Sequence, residues 1–235
     1  MGSDQASTPL IVVGAGGFSR ETADAVRACI DRGERWKLLG FVDDDPGRTD
    51  TAIDGLPVLG PVDTVRARTD TRLVVGTGRP DNYTSRLRIV RRLALPTDRY
   101  VSIVHPDASI SYSTTIGAGT VVLAGTVTTT SVRIGNHVAI MPGVVLSHDG
   151  LVEDYATITS GVRLGGTVHI GTGAYIGAGA LVREGVSIGA WSMIGMGSVV
   201  TRDVPAGQLW FGSPARNHGD APVPPELLAG DLGAK

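Results

Sequence analysis

Aliphatic residues recur at every sixth position through nearly half of this chain. The column runs Val104, Ile110, Ile116, Val122, Thr128, Ile134, Ile140, Leu146, Val152, Ile158, Leu164, Ile170, Ile176, Val182, Ile188, Ile194 and Val200. A second column, four positions later, holds mostly small or β-branched residues from Thr114 to Ser198. A period of six fits neither an amphipathic helix nor an alternating strand, and it is typical of a parallel β-helix built from hexapeptide rungs. Three rungs form one triangular coil, so the pattern predicts roughly five coils in which residues eighteen apart stack at about 4.8 Å.

Glycine follows the aliphatic residue in many of these rungs. The positions are Gly117, Gly135, Gly165, Gly171, Gly177, Gly189 and Gly195. A corner between short strands needs glycine either for a positive φ or for close approach of two backbones.

The residues before the repeat show a different pattern. Short apolar runs at 10–13, 38–42 and 73–75 alternate with helical patterns at about 19–32 and 82–95. Strands that alternate with helices predict a small Rossmann-like parallel sheet. The loops at 14–18, 43–45 and 76–79 then meet at its carboxyl edge, where such sheets bind ligands.

These patterns divide the chain into four parts. We expect a disordered leader at 1–8, an α/β domain at 9–100, a β-helix domain at 101–207, and a C-terminal extension and loosely held tail at 208–235.

The Gly-rich loop allows three interpretations. The dinucleotide fingerprint G-x-G-x-x-G is incomplete, because Ser19 takes its last position, and the domain is short for a full dinucleotide fold. A tight turn without a ligand is the second interpretation. We favour the third, in which loop amides and a helix N-terminus hold the diphosphate of one nucleotide-linked substrate.

Composition narrows the classes of function. A net charge of -2 over 235 residues argues against a nucleic-acid-binding surface. The single cysteine, Cys29, cannot form an internal disulfide. With no long apolar run and no signal peptide, we expect a cytoplasmic protein without a membrane partner.

One of the five histidines stands out by its surroundings. The spacing of the histidines gives no metal signature, so we expect no metal site. His148 is followed by Asp149, and Gly150 interrupts the second column there, which suggests an unusual corner. Gly166 lies eighteen residues later and should stack on His148, placing a general base beside an amide N–H that could bind an acyl carbonyl. A hydrogen-bonded surface histidine at a trimer seam is the alternative.

Several motifs together resemble a known family. They are residues 14–18 (Gly-Ala-Gly-Gly-Phe), 41–44 (Phe-Val-Asp-Asp), 147–149 (Ser-His-Asp), 204–207 (Val-Pro-Ala-Gly) and 212–216 (Gly-Ser-Pro-Ala-Arg). The chain resembles the bacterial sugar acyltransferases of the sialic-acid O-acetyltransferase type, within the left-handed β-helix hexapeptide superfamily. It is most similar to the N-acetyltransferases of nucleotide-linked amino sugars in the bacillosamine and perosamine pathways.

The resemblance implies a homotrimer with acyl-CoA bound in the grooves between adjacent prisms. It makes His148 the general base and Asp149 the neighbour that raises its basicity. The nucleotide sugar would be held by Gly16, Gly17, Phe18, Asp43, Asp44 and Gly76. Acyl-CoA would meet Thr157, Gly166, Ala178 and Met196, with Arg202 or Arg216 near its phosphates.

Two positions depart from the family pattern. Thr157 stands where many relatives carry a second histidine that contacts acetyl-CoA, and Phe18 stands where the closest bacillosamine-pathway relatives have histidine. Acetyl-CoA contacts and sugar recognition are therefore expected to differ from theirs, and the acyl group is left open.

The sequence thus favours a metal-independent, acyl-CoA-dependent N-acyltransferase, with acetyl-CoA as the first candidate donor, acting on the amine of a nucleotide-linked amino sugar. An O-acetyltransferase of a sugar or sialic acid is one alternative. A trimeric binding or assembly protein without catalysis is another. The nucleotide, the sugar and the position of the amine stay open.

Overall fold

A computed structural model describes residues 7–223 and Leu227. Most of the expected leader (1–6) and of the expected tail beyond residue 223 lies outside the described residues. Thr8 already belongs to the first strand, so the predicted leader extends too far into the chain.

The N-terminal domain is the predicted parallel sheet with helices. Its elements are β1 (Thr8–Val13), α1 (Gly17–Asp31), β2 (Trp36–Val42), β3 (Ala52–Ile53), β4 (Leu56–Pro57), β5 (Arg72–Val75) and α2 (Ser85–Leu93). β1 lies in the centre of a three-stranded sheet, with β2 and β5 parallel to it on either side. The last four residues of β1 are fully buried, as expected for a parallel strand covered on both faces.

Sequence patterns missed the small antiparallel pair β3–β4 and placed the start of α2 too early. A 3₁₀ turn at Pro80–Asn82 precedes the helix, which begins at Ser85. The helix ends at Leu93, because its C-cap Ala94 has a left-handed conformation (φ 47°) and Pro96 follows.

Residues 103–200 form the predicted parallel β-helix, and its strands lie on three faces. The first face contains β7 (Thr115–Ile116), β10 (Arg133–Ile134), β13 (Leu151–Val152), β16 (His169–Ile170) and β19 (Ser187–Ile188). The second contains β6 (Ile103–Val104), β8 (Val121–Val122), β11 (Ala139–Ile140), β14 (Thr157–Ile158), β17 (Tyr175–Ile176) and β20 (Met193–Ile194). The third contains β9 (Val127–Thr128), β12 (Val145–Leu146), β15 (Arg163–Leu164), β18 (Leu181–Val182) and β21 (Val199–Val200).

Pairing along each full coil follows the predicted spacing of eighteen residues, as in Ile134 with Val152 and Val152 with Ile170. Both predicted columns point inward and form one continuous core from Val122 to Val200. The N-terminal domain covers the first coils of the second face, where Ile103, Val121 and Leu123 pack against it.

The corner glycines serve close approach of backbones. A Cβ on Gly177 would lie 2.5 Å from the amide nitrogen of Met196 in the next coil, and φ at this residue is not positive. Positive φ occurs two residues further along each corner, at glycines and also at residues such as Asp149 (φ 57°) and Thr167 (φ 56°). The corner of His148 is therefore regular in backbone, contrary to the expectation from Gly150.

A hairpin of β22 (Gln208–Gly212) and β23 (Ala215–Asp220) extends the second face beyond the last coil. Ile194 pairs with Trp210, sixteen residues on instead of eighteen, so the spacing of eighteen residues ends after Val200. β23 is hydrogen-bonded to β22 through Asp220, so the expected C-terminal extension is held in place at least to that residue.

Candidate active site

The three loops at the carboxyl edge of the sheet line a cleft of about 690 Å³. Its lining includes all six residues predicted to hold a nucleotide sugar: Gly16, Gly17, Phe18, Asp43, Asp44 and Gly76. Met141 and Tyr175 of the β-helix also line it. The cleft therefore lies at the junction of the two domains.

The N-terminus of α1 opens into this cleft. Gly16 is the N-cap, no side chain caps the helix, and its first turn contains no acidic residue. A Cβ at Gly16 or Gly17 would meet no atom within 4 Å, so the backbone there is open to a ligand. Unpaired amides at the positive end of a helix favour an anion such as a diphosphate.

Ser19, the residue that breaks the dinucleotide fingerprint, joins two of the loops. Its hydroxyl donates a 2.6 Å hydrogen bond to the carbonyl of Gly76. A Cβ on Gly76 would lie 2.6 Å from the Cα of Ser19, so this close approach excludes any side chain at position 76. The serine therefore packs the start of α1 against the loop that follows β5.

Asp43 and Asp44 have partners within the protein. Asp43 accepts hydrogen bonds from the amides of Ala15 (2.7 Å) and Asp45 (2.9 Å) and pairs with Arg48. Asp44 accepts from the amide of Val62 (3.0 Å) and from Arg92 (2.8 Å). These hydrogen bonds fix the shape of the cleft. A direct contact of either carboxylate with ribose or base stays a prediction, and it would use lone pairs that are not engaged within the protein.

His148 and Asp149 form a pair at the corner between the third and first faces. Nδ1 of His148 lies 2.9 Å from Oδ2 of Asp149, and both side chains are more than half exposed. With the carboxylate at Nδ1, the tautomer that is favoured carries its proton there and leaves the lone pair on Nε2. Nε2 is therefore the atom that can accept a proton.

Gly166 lies in the next coil against this nitrogen. A Cβ on Gly166 would be 2.4 Å from Nε2 of His148, so only glycine admits the ring in this position. Within the described part of the chain, the amide of Gly166 donates no hydrogen bond to another residue. The predicted stacking is confirmed, and it places a proton acceptor and an unpaired amide side by side.

Ala178 and Met196 lie at another edge of the prism. They follow strands of the second face, at the corner shared with the third face, and the Gly197 amide bonds to the Ala178 carbonyl between their coils. Both are exposed, Met196 to 80%. Gly166 lies at the corner between the third and first faces, so the residues predicted to meet acyl-CoA lie at two different edges of the prism.

The prediction that Thr157 contacts acyl-CoA is wrong. Its side chain is 1% exposed, on the second face that the N-terminal domain covers. Its hydroxyl accepts a 2.8 Å hydrogen bond from Arg86 of α2. Of the two arginines suggested for the CoA phosphates, Arg202 lies over the ring of Trp210 at 5.1 Å, and Arg216 donates to the carbonyl of Ala215.

Sequence reasoning missed the cluster at the domain junction. Arg86, Tyr83 and Leu87 of the N-terminal domain meet His137, Tyr155 and Trp191 at the corner between the first and second faces. Burial lowers the pKa of Arg86 to about 10, and burial with the nearby Arg86 charge lowers the pKa of His137 to about 4. At neutral pH, Arg86 is charged and His137 is neutral.

Among residues 7–223 and Leu227, no group of three or more His, Cys, Asp or Glu side chains is arranged to hold a metal ion. No helix within that same part of the chain has the length and apolar character needed to cross a bilayer.

Two protein families match the sequence. The PglD N-terminal domain matches residues 9–93, and the bacterial transferase hexapeptide (six repeats) matches residues 167–202. A comparison with curated proteins found no match.

Solved structures resemble the whole two-domain arrangement. The acetyltransferase domain of PglB from Neisseria gonorrhoeae, in complex with acetyl coenzyme A, is 28% identical with a TM-score of 0.79, over 90% of this chain and 100% of that one. PerB from Caulobacter crescentus, in complex with CoA and GDP-perosamine, is 31% identical with a TM-score of 0.79, over 90% of this chain and 97% of that one. WeeI from Acinetobacter baumannii is 27% identical with a TM-score of 0.75, over 88% and 98% of the two chains.

Proposed function

The chain belongs to the hexapeptide-repeat sugar acyltransferases that carry a PglD-type N-terminal domain, and from this premise we propose that it transfers an acyl group from acyl-CoA to the amine of a nucleotide-linked amino sugar. The observation that carries the proposal is the pair His148–Asp149 with Nε2 against the free amide of Gly166. The relatives support the substrates, since PglB binds acetyl coenzyme A and PerB binds CoA and GDP-perosamine.

In the proposed reaction, the neutral amine attacks the thioester carbonyl directly. Nε2 of His148 removes a proton from the amine as the new C–N bond forms, and Asp149 holds the ring in the required tautomer. The carbon–sulfur bond then breaks, and the proton passes to the CoA thiolate, so the products are an amide and free CoA thiol. No covalent acyl-enzyme is needed.

The amide of Gly166 is placed to stabilise the oxyanion that develops on the thioester oxygen. It is unpaired among the described residues and adjoins the proton acceptor. Removal of one such donor costs about 3 kcal/mol of transition-state stabilisation in enzymes where it has been measured.

The nucleotide part of the substrate fits the cleft of the N-terminal domain. The uncapped N-terminus of α1 suits a diphosphate, and Asp43 and Asp44 hold the surrounding loops in place. Glycines 16 and 17 allow a ligand to approach the backbone.

The geometry also supports a homotrimer. The cleft adjoins Met141 at the corner between the second and third faces, whereas His148 lies at the corner between the third and first faces. We therefore propose that one site combines the cleft of one copy with His148 and Gly166 of its neighbour, with acyl-CoA in the groove between them.

The function can be tested by release of CoA thiol from acetyl-CoA against UDP-, TDP- and GDP-linked amino sugars, with the matching hydroxy sugars beside them. Turnover of an amino sugar supports N-acyl transfer. Turnover of hydroxy sugars alone identifies an O-acyltransferase, and binding of nucleotide sugar without thiol release from any acyl-CoA favours a binding protein.

A further inference from the structure

Arg86 of α2 is buried between the two domains with 1% of its surface exposed. No carboxylate among the described residues lies within ion-pair distance of it. Such a charge is tolerated only when its N–H groups are hydrogen-bonded. The identity of its acceptors therefore indicates what the arginine holds together.

Two successive coils of the β-helix supply most of these acceptors. Nε donates to the carbonyl of His137 at 2.8 Å, and Nη2 donates to the carbonyls of Tyr155 (2.9 Å) and Ala156 (3.1 Å). Nη2 also donates to Oγ1 of Thr157 at 2.8 Å. The guanidinium thus fits a pocket formed by backbone carbonyls and one small hydroxyl side chain.

The remaining acceptor belongs to the wall of the cleft. Nη1 of Arg86 donates to the carbonyl of Thr77, and both Thr77 and Gly78 line the cleft. A Cβ on Gly78 would lie 2.4 Å from Nη1 and 3.7 Å from Oγ1 of Thr157. The loop that follows β5 therefore rests directly on the guanidinium.

The β-helix contributes Met141 and Tyr175 to the lining of the same cleft. The distance between the loop and these two residues consequently depends on how the loop is attached to the β-helix. Tyr83 also joins the domains, through a 2.9 Å hydrogen bond from its hydroxyl to the carbonyl of Trp191, but its hydroxyl does not bond the loop. Of these two interdomain contacts, that of Arg86 includes a hydrogen bond to the loop, and that of the Tyr83 hydroxyl does not.

We propose that Arg86 and Thr157 are a positioning pair that sets the width of the nucleotide-sugar cleft by fixing residues 76–79 against the β-helix. The proposal rests on the proposed function for the identity of the ligand. The planar, forked guanidinium is required because its three nitrogens reach five acceptors, whereas a lysine ammonium carries three N–H groups on a single atom.

Kinetics of four variants tests the pair. In Arg86→Met we expect the KM for the nucleotide sugar to rise about tenfold or more, with kcat within about threefold and the KM for acyl-CoA unchanged. Arg86→Lys and Thr157→Val should show smaller rises of the same kind, and they carry the test if Arg86→Met does not fold. Tyr83→Phe removes an interdomain hydrogen bond of the same junction and should leave both KM values unchanged.

An equal rise in Tyr83→Phe would show that any loosening of the junction has the same effect, and it would overturn the proposal. So would an unchanged KM for the nucleotide sugar in Arg86→Lys and Thr157→Val, or a fall confined to kcat.

Hydrogen exchange of the substrate-free protein separates this proposal from the proposed function. Amides of residues 76–79 should exchange faster in Arg86→Lys and Thr157→Val than in the parent or in Tyr83→Phe. Equal exchange in all four proteins contradicts the pair. If the parent acts on no nucleotide sugar, the proposed function fails while the exchange result still decides whether Arg86 and Thr157 hold the loop.

Discussion

The imidazole of His148 occupies the space that a side chain at Gly166 would need. A Cβ there would lie 2.4 Å from Nε2, although φ at Gly166 is not positive. Glycine is required by the neighbouring ring rather than by the backbone conformation. A methyl group at this position therefore probes the placement of the ring without straining the coil.

In Gly166→Ala we expect the ring of His148 to be displaced and kcat/KM to fall about 100-fold, since a shift of ~1 Å in a reacting group can cost that much. Stability should change by less than about 1 kcal/mol because the ring is exposed and can move. Steady-state kinetics and urea unfolding measure the two effects.

Gly165→Ala is the matched control. Its Cβ would lie 2.5 Å from the backbone nitrogen of Glu184, which cannot yield as a side chain does. It should destabilise the β-helix by about 1–3 kcal/mol. A Gly166→Ala protein with activity within threefold of the parent would contradict the assigned position of the base.

Removal of the imidazole in His148→Ala should lower kcat by about 10²–10⁴-fold, the range for a general base. Asp149→Asn should lower kcat less, because the pair is exposed and water can replace part of the hydrogen bond. Thiol release at saturating substrates measures both.

His169→Ala provides a control for this experiment. Nε2 of His169 lies 2.6 Å from Oε1 of Glu153, so it is a second histidine–carboxylate pair, on the first face. Its loss should leave kcat unchanged. Equal losses in the His148 and His169 variants would mean that the drop reflects a general effect on the β-helix.

Much of the β-helix could be predicted because its geometry allows few alternatives. Each coil returns after eighteen residues, so the stacking of Gly166 on His148 follows from the numbering alone. The parallel sheet could be predicted equally well. Apolar runs followed by glycine or aspartate indicated β1, β2 and β5 and the loops that line the cleft.

The error at Thr157 has a physical cause. The repeat defines which residues point outward, but it does not say which of three faces another domain covers. Thr157 points outward from the β-helix and is buried all the same, under α2. Arg86 gave no signal either, because it is one of four arginines in an amphipathic helix.

Asp43→Asn tests whether the carboxylate shapes the cleft. Asp43 accepts from the amides of Ala15 and Asp45, and its side chain is only 15% exposed. A neutral amide keeps one acceptor oxygen and loses the charge, so hydrogen bonds worth about 1.5–3 kcal/mol each are weakened. We expect the KM for the nucleotide sugar to rise at least tenfold with the KM for acyl-CoA unchanged.

The neighbouring Asp45→Asn is its control. That carboxylate is 52% exposed and does not line the cleft. It should leave both KM values within about twofold of the parent. A similar rise in the two variants would indicate that charge near the cleft, rather than the position of the Ala15 loop, determines binding.

Buried His137 should make the stability of the protein depend on pH. Burial and the Arg86 charge lower its pKa to about 4, while Asp154 acts in the opposite direction. An unfolded chain has a histidine pKa near 6.5, so it binds more protons than the folded protein between these values. The stabilising contribution is complete above pH 6.5 and is lost as pH falls toward 4. The part lost at pH 5 amounts to about 2 kcal/mol of the free energy of unfolding.

His137→Asn removes the titrating group, and asparagine tolerates the left-handed backbone at this position (φ 53°). Urea unfolding at pH 8 and pH 5 measures the free energy of unfolding. Between these pH values, it should fall by about 2 kcal/mol less in the variant than in the parent. Other titrating groups contribute equally to both proteins, so identical losses would mean that His137 is protonated in the folded protein as readily as in the unfolded chain.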